Sequence, residues 1–300
     1  MQFKSMLTGL ATAFIAAPAL AQDLEIVGHP TDGKMGFQPA ATELARDLQW
    51  LDGLLVFIIG VICLMVVGLL VIVYVKFNER ANKTPGTFTH NSPLEIAWTL
   101  GPIVTLVFIG AFSLPVLFKQ QEIPEGDVTI KVTGYQWYWG YEYVGTDLAF
   151  DSFMIGHPAT MEDQDYNAGA QDFVRSDAMN ARLERAGYSS DEFLLATNTS
   201  VVVPVGKTIV MQITGGDVIH SWTIPAFGVK QDAVPGRLAE LWFKPEREGV
   251  YFGQCSELCG KDHAYMPITV KVVSQEAYDA WLARSVEAGD YTDVREVLTN

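Results

Sequence analysis

Two cysteines, a histidine and a methionine lie close together near the end of the chain, at Cys255, Cys259, His263 and Met266. A second histidine, His220, lies upstream in an apolar segment. Thiol, imidazole and thioether groups bind copper, zinc or iron–sulfur clusters in preference to magnesium or calcium. The spacing and the types of donor therefore predict a site for a soft metal.

Four interpretations of this cluster differ in how they use the two thiols. In an exported protein, Cys255 and Cys259 could form a disulfide. One zinc ion could bind two cysteines and two histidines, which would leave Met266 as a packing residue. A mononuclear blue-copper site needs a single thiol, so one would be in excess. Two thiolates that bridge two copper ions would use every donor, with one histidine for each ion, Met266 on one ion and a backbone carbonyl on the other.

Short strands must position these donors, because apolar and polar residues alternate from about Asp127 onward. Gly, Pro and Asn separate the later apolar runs, as is typical of strands joined by turns. Several short strands at this spacing predict a β-sandwich or barrel. After the first strand, around Val128–Val132, the predicted strands cover 201–203, 208–214, 219–224, 238–243, 250–254 and 267–273.

Two segments depart from this strand pattern. Residues 152–190 are rich in Asp, Glu, Asn and Ala, and they predict an insertion that is partly helical around 177–187. Residues 275–287 predict a closing amphipathic helix. We therefore expect a β-domain over 125–273 that contains the insertion, followed by a C-terminal helix and tail over 274–300.

The N-terminus has the features of an export signal. Lys4 precedes a short apolar stretch, and a small-residue cleavage motif ends just before Gln22, which predicts a signal peptide over 1–21. A retained membrane anchor is the alternative, although the apolar stretch is short for a membrane span. After cleavage, an N-terminal segment over 22–50 would face outward.

Two apolar runs predict a transmembrane helical hairpin over 51–118. The runs cover about 51–75 and 94–118, and at about 1.5 Å per residue each can cross a hydrocarbon core of about 30 Å. Pro102 and Pro115 interrupt the second run. Neighbouring groups can satisfy the carbonyls that prolines free in membrane helices, so the hairpin remains the best interpretation.

The charge distribution indicates the orientation of the hairpin and the class of partner. The link between the two runs carries Lys76, Arg80 and Lys83, so the positive-inside rule places this link in the cytoplasm and both flanks outside. The formal net charge is −15. We expect such a chain to repel nucleic acid, and it could attract a basic partner. The alternative, which composition alone favours, is that the acidic residues only keep a water-soluble domain dispersed. Neither apolar run contains a histidine, so a haem between these helices would lack an obvious axial ligand.

Longer motifs extend the pattern beyond the metal donors. They are GYQWYWGYEY (134–143), DVIHSWTIP (217–225), AVPGR (233–237) and GQCSELCG (253–260). In this order, and behind a membrane hairpin, they resemble subunit II of cytochrome c oxidase over nearly the whole mature chain. The resemblance implies a membrane-anchored all-β fold, in which a two-helix transmembrane hairpin precedes a cupredoxin-like Greek-key β-sandwich.

The resemblance also implies a CuA centre with two copper ions. Both thiolates would bridge the ions and each histidine would bind one ion. Met266 and the backbone carbonyl of Glu257 would complete the two coordination spheres. The Glu257 side chain would point the other way, toward a magnesium ion shared with subunit I. The implied metal ligands are His220, Cys255, Glu257, Cys259, His263 and Met266.

Two further roles follow from the resemblance. Trp137 would be the exposed point at which electrons enter, and Glu95 would admit protons bound for subunit I. The alternative for Glu95 is a solvated residue at a helix start, where the helix dipole favours a carboxylate. Most aromatic rings of the 134–143 motif could instead be sandwich core or a membrane-interface belt. An unbroken strand would project five of these rings from one face: Tyr135, Trp137, Trp139, Tyr141 and Tyr143.

The implied reaction is oxidation of cytochrome c, with oxygen reduced to water in a haem-bearing subunit I and protons pumped. Glu142, Asp151 and Asp217 are the candidate docking carboxylates for a basic cytochrome c, and a solvated surface role is the alternative. No CxxCH motif is present, so the electron donor is expected to be a separate protein. The complex would lie in the lipid of a bacterial inner membrane, with the N-terminus and the β-domain on the periplasmic side.

Three other classes of protein compete with this interpretation. A quinol oxidase subunit II shares the fold but lacks the copper donors. An exported copper chaperone could use Cys, His and Met, but it needs neither the Trp137 motif nor two anchoring helices. A structural anchor with a disulfide would bind no copper. The insertion over 152–190 departs from the shorter form of the family and suggests no function.

Overall fold

In a computed structural model of the protein, residues 24–298 are described, and the predicted signal peptide over 1–21 lies outside the described residues. A helical hairpin precedes a domain of strands and short helices. The helices are α1 (Glu43–Lys76), α2 (Ser92–Gln121), α3 (Asp163–Asn167), α4 (Asp177–Arg185), α5 (Gln275–Ala288) and α6 (Arg295–Leu298). The strands are β1 (Ile26–Gly28), β2 (Val128–Tyr135), β3 (Tyr138–Tyr143), β4 (Ala149–Ser152), β5 (Val201–Pro204), β6 (Ile209–Gly215), β7 (His220–Ile224), β8 (Val229–Ala233), β9 (Ala239–Phe243), β10 (Gly249–Gln254) and β11 (Pro267–Val273).

The two long helices contain the predicted membrane spans and extend beyond them. Both are long and apolar enough to cross a membrane. At about 1.5 Å per residue, the 34 residues of α1 extend about 51 Å. The helix begins at Glu43, where the Thr42 side chain accepts a hydrogen bond from the Ala45 N–H. Hydropathy marks only the lipid-facing part of a helix. The charged first turns of α1 therefore fall within the segment over 22–50 that the sequence predicts to precede the hairpin.

The second helix, α2, continues through both of its prolines. Pro102 and Pro115 lie inside the helix, which runs unbroken to Gln121. Asn91 caps its first turn by accepting a hydrogen bond from the Leu94 N–H. The predicted hairpin is therefore confirmed, and its second helix is 30 residues long.

The outer ends of the hairpin are attached to the β-domain. The Thr42 hydroxyl donates to the Phe227 carbonyl at 2.7 Å, and the Trp242 indole donates to the Lys119 carbonyl at 3.2 Å. Lys119 also forms ion pairs with two carboxylates at the start of α1. These contacts fix where the β-domain lies relative to the membrane anchor.

Two main sheets form the β-domain. One has the strand order β1-β10-β11-β5 and the other has the order β4-β3-β2-β6-β9, while β7 and β8 form a separate pair. Side chains from both sheets fill the main core, in which Ile130, Val132 and Val270 are fully buried. The Tyr143 hydroxyl donates to the Val202 carbonyl at 2.8 Å, which ties the two sheets together. The predicted β-sandwich is confirmed.

The 134–143 motif does not form the unbroken strand that a single aromatic face would require. β2 ends at Tyr135 and pairs with β3 from Tyr138 onward, so a tight turn separates them. The five rings of the 134–143 motif therefore do not share one face. Those on β3 are buried in the core, whereas Tyr135 stacks on Tyr138 at 4.9 Å outside it. The sequence does not mark this turn, because the motif has no Gly, Pro or Asn there.

The insertion folds onto the sandwich with an apolar cluster of its own. The predicted helix around 177–187 is confirmed as α4, and α3 precedes it. Met179 and Leu183 of α4 pack with Val250 and Phe252 of β10. The closing helix is also confirmed, as α5. Three strands had no sequence prediction: β1, β4 and β8.

Candidate metal centre

The metal donors lie at the ends of strands, on one edge of the sandwich. His220 opens β7, Cys255 directly follows β10, and Met266 directly precedes β11. Because β10 and β11 are antiparallel neighbours, the segment 255–266 is their connecting loop. The Cys255 N–H donates to the Met266 carbonyl at 3.3 Å, which closes this loop at its base.

Two similar sets of donors flank the pair of thiols. The Cys255 sulfur lies 3.9 Å from His220 Nδ1 and 3.3 Å from the Glu257 carbonyl oxygen. On the other side, the Cys259 sulfur lies 3.5 Å from His263 Nδ1 and 3.4 Å from the Met266 sulfur. Each thiol thus has one imidazole nitrogen and one weaker donor beside it.

These distances separate the interpretations that the sequence left open. The two sulfurs are 3.9 Å apart and both cysteines are free, whereas a disulfide bond is about 2.05 Å long. The donor atoms of His220, Cys255 and Cys259 lie within 4.8 Å of one another, and His263 lies outside that set. A single tetrahedral zinc ion would need all four donors within about 4 Å of each other. The geometry therefore fits two ions that share the sulfurs.

The His220 side of the site is buried and held by a carboxylate. His220 is fully buried, and its Nε2 lies 2.9 Å from Asp217 Oδ1. The carboxylate of Asp217 also accepts backbone N–H bonds from Gln136 and Val218. With Nε2 protonated toward Asp217, Nδ1 is left as an acceptor that faces Cys255. A side chain at Gly134 would strike the imidazole, since a Cβ there falls 2.9 Å from the ring.

Hydrogen bonds around His220 change the pKa of three groups. Burial alone would lower the pKa of His220, but hydrogen bonds to Cys255 and Asp217 outweigh it and raise this pKa. Burial would likewise raise the pKa of Asp217 and of Cys255. The hydrogen bonds to His220 and to backbone groups prevail in both cases, so both pKa values are lowered.

The pKa of the second thiol, Cys259, is shifted in the opposite direction. Burial, and then the neighbouring Cys255 sulfur, raise the pKa of Cys259 to about 12. The pair therefore favours a single negative charge unless cations lie beside it, because two adjacent thiolates repel each other. Metal ions would supply the positive charge that lets both sulfurs ionise.

The second half of the loop is held by indole and amide groups. The buried Trp139 indole donates to the Met266 carbonyl at 3.2 Å, and the Gln136 side-chain amide donates to the Cys259 carbonyl at 2.8 Å. Gly260 has a φ of +133°, and a Cβ there would lie 3.0 Å from the Trp137 ring. Glycine at this position therefore allows the Trp137 ring to approach the metal loop closely.

Trp137 was predicted to be exposed, and the structure corrects this. The indole is half-buried, and its Cζ2 and Nε1 atoms lie against Gly260. The ammonium of Lys261 lies 5.3 Å from the centre of the ring. Trp137 is thus in direct contact with the metal loop, one residue beyond Cys259.

The remaining predicted residues are distributed over the molecule. The Glu257 side chain is exposed, while its carbonyl faces Cys255. Glu95 lies in the first turn of α2, at the end of the hairpin remote from the sandwich, and accepts a hydrogen bond from the Asn91 N–H. Glu142 pairs with Lys131 across the β2–β3 ladder at 2.7 Å. Asp151 is exposed on β4, and partial burial of its carboxyl raises its pKa.

Sequence reasoning missed the supporting residues of the site. Asp217 was predicted only as a docking residue, and the structure adds a hydrogen bond to His220. The spacing Asp217–His220 was the available signal, but an i, i+3 pair within an irregular segment has no fixed geometry. Trp139 and Gly134 act through contacts that only the folded chain creates.

A two-helix membrane anchor that carries a β-sandwich with a loop of soft metal donors defines a class of membrane-anchored, metal-site proteins. Two family models match the chain. The periplasmic domain of cytochrome c oxidase subunit II matches residues 128–273, and its transmembrane domain matches residues 30–116. The chain therefore belongs to the cytochrome c oxidase subunit II family, and it is a membrane-anchored subunit of that oxidase, with other oxidase subunits as its partners.

Individual relatives agree with this assignment. The chain is 60% identical to cytochrome c oxidase subunit 2 of Cereibacter sphaeroides, over 95% of the chain and 93% of the relative. It is 42% identical to a probable cytochrome c oxidase subunit 2 of Rickettsia bellii, over 85% of each chain. A crystal structure of the periplasmic domain of cytochrome oxidase subunit II from Bradyrhizobium japonicum is 40% identical. It covers 56% of this chain and 98% of its own, with a TM-score of 0.42.

Proposed function

We propose that this chain receives electrons from cytochrome c at a pair of copper ions and passes them to haem in subunit I. There oxygen would be reduced to water while protons are pumped. One observation carries the proposal: the two thiols lie between two separate imidazoles, each with its own weaker donor. This arrangement gives two ions equivalent sets of ligands.

The donors present fit copper in number and kind. Two thiols, two imidazole nitrogens, a thioether and a carbonyl form a set in which no donor is in excess. His220 and His263 would each hold one ion, Met266 and the Glu257 carbonyl would complete the two sets of ligands, and the sulfurs of Cys255 and Cys259 would be shared. When bound, the copper pair supplies one-electron chemistry in which a single charge is spread over two ions, so that bond lengths change little.

The residues of the chain keep this site rigid. Asp217 fixes the orientation and protonation of His220, because its carboxylate accepts from Nε2 and is itself held by two backbone N–H groups. Trp139 holds the Met266 carbonyl from inside the core. A loop fixed at both ends by strands reorganises little when its charge changes, which favours fast electron transfer.

Trp137 is the proposed point at which electrons enter. Its ring lies against Gly260, and the neighbouring Gln136 amide bonds to the Cys259 carbonyl. This route runs from the half-buried indole to the loop that carries a bridging sulfur. Glu142, Asp151 and Asp217 would attract a basic cytochrome c and make its encounter rate sensitive to salt.

Two further roles complete the proposal. The exposed Glu257 carboxylate would bind magnesium together with ligands from subunit I, since one carboxylate cannot hold this ion alone. Glu95 would accept protons at the cytoplasmic end of α2. The basic link between the helices supports this orientation, with the sandwich in the periplasm of a bacterium and the helices in its inner membrane.

A metal analysis of the full chain in detergent tests the copper site. After loading with copper and removal of the excess, we expect two copper ions per chain and a purple, mixed-valence product. A chain with one copper ion, a blue spectrum or a disulfide between Cys255 and Cys259 would contradict the proposal. The Cys63→Ser variant is the matched control, since Cys63 lies in α1, outside the donor set.

A further inference from the structure

A continuous line of aromatic rings in contact ends on the metal loop and includes three residues of the insertion. Each ring contacts the next, with centroids 4.5 to 5.6 Å apart. We call this line the aromatic belt. Its members, in order along the line, are Tyr135, Tyr138, Phe153, His157, Phe173 and Tyr265.

One end of the belt lies on the metal loop. Tyr265 stacks on Phe173 at 4.7 Å, with ring planes 27° apart. Tyr265 is the last residue of the turn that starts at His263, and the buried Met266 follows it directly. A ring that holds Tyr265 in place therefore acts on two proposed copper ligands, His263 and Met266.

The other end of the belt lies on the His220 side of the site. Phe153 stacks on Tyr138 at 4.5 Å, and Tyr138 stacks on Tyr135. The Tyr135 ring packs against Gly216, where a Cβ would fall only 2.3 Å from it. Gly216 precedes Asp217, the carboxylate that holds His220. The belt thus runs from the segment that precedes Asp217 to the metal loop.

The middle of the belt is supplied by the insertion and is locked in place. His157 Nδ1 accepts a hydrogen bond from the Ala159 N–H at 3.0 Å, which fixes the imidazole between Phe153 and Phe173. Burial lowers the pKa of His157, so the ring is neutral at neutral pH and packs as an aromatic group. The Phe173 N–H donates to the Gly156 carbonyl at 2.9 Å.

The backbone of Phe173 indicates that its ring is required. Its φ is +60°, a left-handed conformation that bulky side chains rarely adopt and that costs free energy. Glycine or asparagine would occupy this position without strain. A phenylalanine is expected here only if contacts of its side chain offset the free-energy cost of the backbone conformation. Its ring contacts Tyr265 and His157.

We propose that the insertion over 152–190 is a support for the metal loop, and that Phe173 is a positioning residue for His263 and Met266 through Tyr265. The loop would then be held on two sides. Trp139 holds the Met266 carbonyl from the core, and Phe173 holds the Tyr265 ring from outside. The proposal rests on the copper site proposed above.

Three variants of the full chain in detergent, each loaded with copper, test this role. Phe173→Gly removes the ring and relaxes the backbone. Tyr265→Leu removes the other ring of the same contact and leaves the insertion unchanged. Leu194→Gly is the matched control, because Leu194 is the other non-glycine residue with positive φ in the described part of the chain and is not in the belt. The readouts are the copper hyperfine spectrum, the reduction potential and the rate of copper loss to a chelator.

We expect Phe173→Gly and Tyr265→Leu to lose copper about three- to tenfold faster, on the scale of a lost aromatic pair, and to shift both the spectrum and the potential. Leu194→Gly should match the wild type. A fourth variant, Phe173→Tyr, keeps the ring and should also match the wild type. If Phe173→Gly matches Leu194→Gly in all three readouts, the support role is wrong. If Phe173→Gly fails to fold, Tyr265→Leu decides by the same criteria. The wild-type copper count is measured first, so a chain without two copper ions refutes the proposed function and not the belt alone.

Discussion

The two imidazoles of the metal centre are held in different ways. His220 opens a regular strand, is fully buried and is bonded to a carboxylate that backbone groups fix in turn. His263 begins a single turn of 3₁₀-helix at the surface and is only half-buried. Its neighbours are held by a hydrogen bond from the Trp139 indole to the Met266 carbonyl on the inside and by the ring of Phe173 against Tyr265 on the outside.

This difference separates two tasks within one site. The His220 end is part of the sandwich, so damage there should affect whether metal binds at all. The His263 end is a loop on that sandwich, so damage there should mainly change the spectrum, the potential and the access of electrons. Trp137 and Gly260 lie at this second end, where an electron donor could reach the loop.

The largest effect is expected where the two ends meet. Cys255→Ser removes one of the two shared sulfurs and should weaken copper binding by about a hundredfold, since a four-ligand metal site is worth roughly 10–16 kcal/mol, or about 3 kcal/mol per ligand. Copper content after dialysis measures this. Retention of two ions by Cys255→Ser would show that the sulfur is not shared, and Cys63→Ser should keep both ions.

Asp217→Ala tests the buried end. Removing the carboxylate leaves the His220 N–H without its partner and should weaken copper binding by about ten- to a hundredfold, as is typical of groups that orient a metal-bound histidine. Competition with a chelator of known affinity gives the constant. Glu142→Ala is the matched control, because that carboxylate pairs with Lys131 rather than with a proposed ligand. If Asp217→Ala changed cytochrome c binding and left copper affinity unchanged, Asp217 would be a docking residue and not a support for His220.

Trp137→Phe tests the loop end as the place where electrons enter. The smaller ring should lose contact with Gly260, and electron transfer from reduced cytochrome c should slow by about tenfold or more, because a displacement of about 1 Å can cost up to about a hundredfold. Stopped-flow oxidation of cytochrome c by the oxidase measures the rate. Cytochrome c affinity should stay nearly unchanged, and an unaltered transfer rate would refute the role.

Met266→Leu tests whether the thioether at the same end is a copper ligand. The substitution keeps the volume of a fully buried side chain, so the fold should survive while the thioether ligand is lost. We expect both copper ions to remain and the reduction potential to shift by on the order of tens of millivolts, where about 59 mV is a tenfold change in the one-electron equilibrium. An unchanged potential and spectrum would count against Met266 as a ligand.

The smallest effect is expected from the docking carboxylates on the sheet surface. Glu142→Gln should lower the association rate of cytochrome c by about two- to threefold at low salt, and the difference should vanish at high salt. Glu287→Gln on α5 is the control for net charge, because it removes a similar exposed carboxylate from the closing helix. Equal effects of the two substitutions would mean that Glu142 has no special part in docking.

The sequence predicted those features that local patterns determine. Hydropathy located both membrane helices, and alternation placed the last strand, Pro267–Val273, at its observed limits. The tight turn between Tyr135 and Tyr138 was missed because no turn residue marks it. The charged first turns of α1 were missed because they lie outside the apolar run.

In the candidate site, too, some features could be predicted from local patterns and others could not. The ligand types were predicted because soft donors within one loop are rare without a metal. Their supports were not, because Trp139 and Phe173 reach the site only through contacts between distant parts of the chain. Asp217 is close to His220 in sequence, but their spacing within an irregular segment has no fixed geometry. The supporting role proposed for the insertion could not be predicted from its polar composition, because this role depends on the three aromatic rings that the insertion contributes to the belt.

The electron paramagnetic resonance spectrum of the copper-loaded full chain tests the central claim most directly. If the two thiols hold two ions that share one unpaired electron, the hyperfine pattern must show equal coupling to two copper nuclei. A pattern from a single copper nucleus, at full copper loading, would contradict this account of the site.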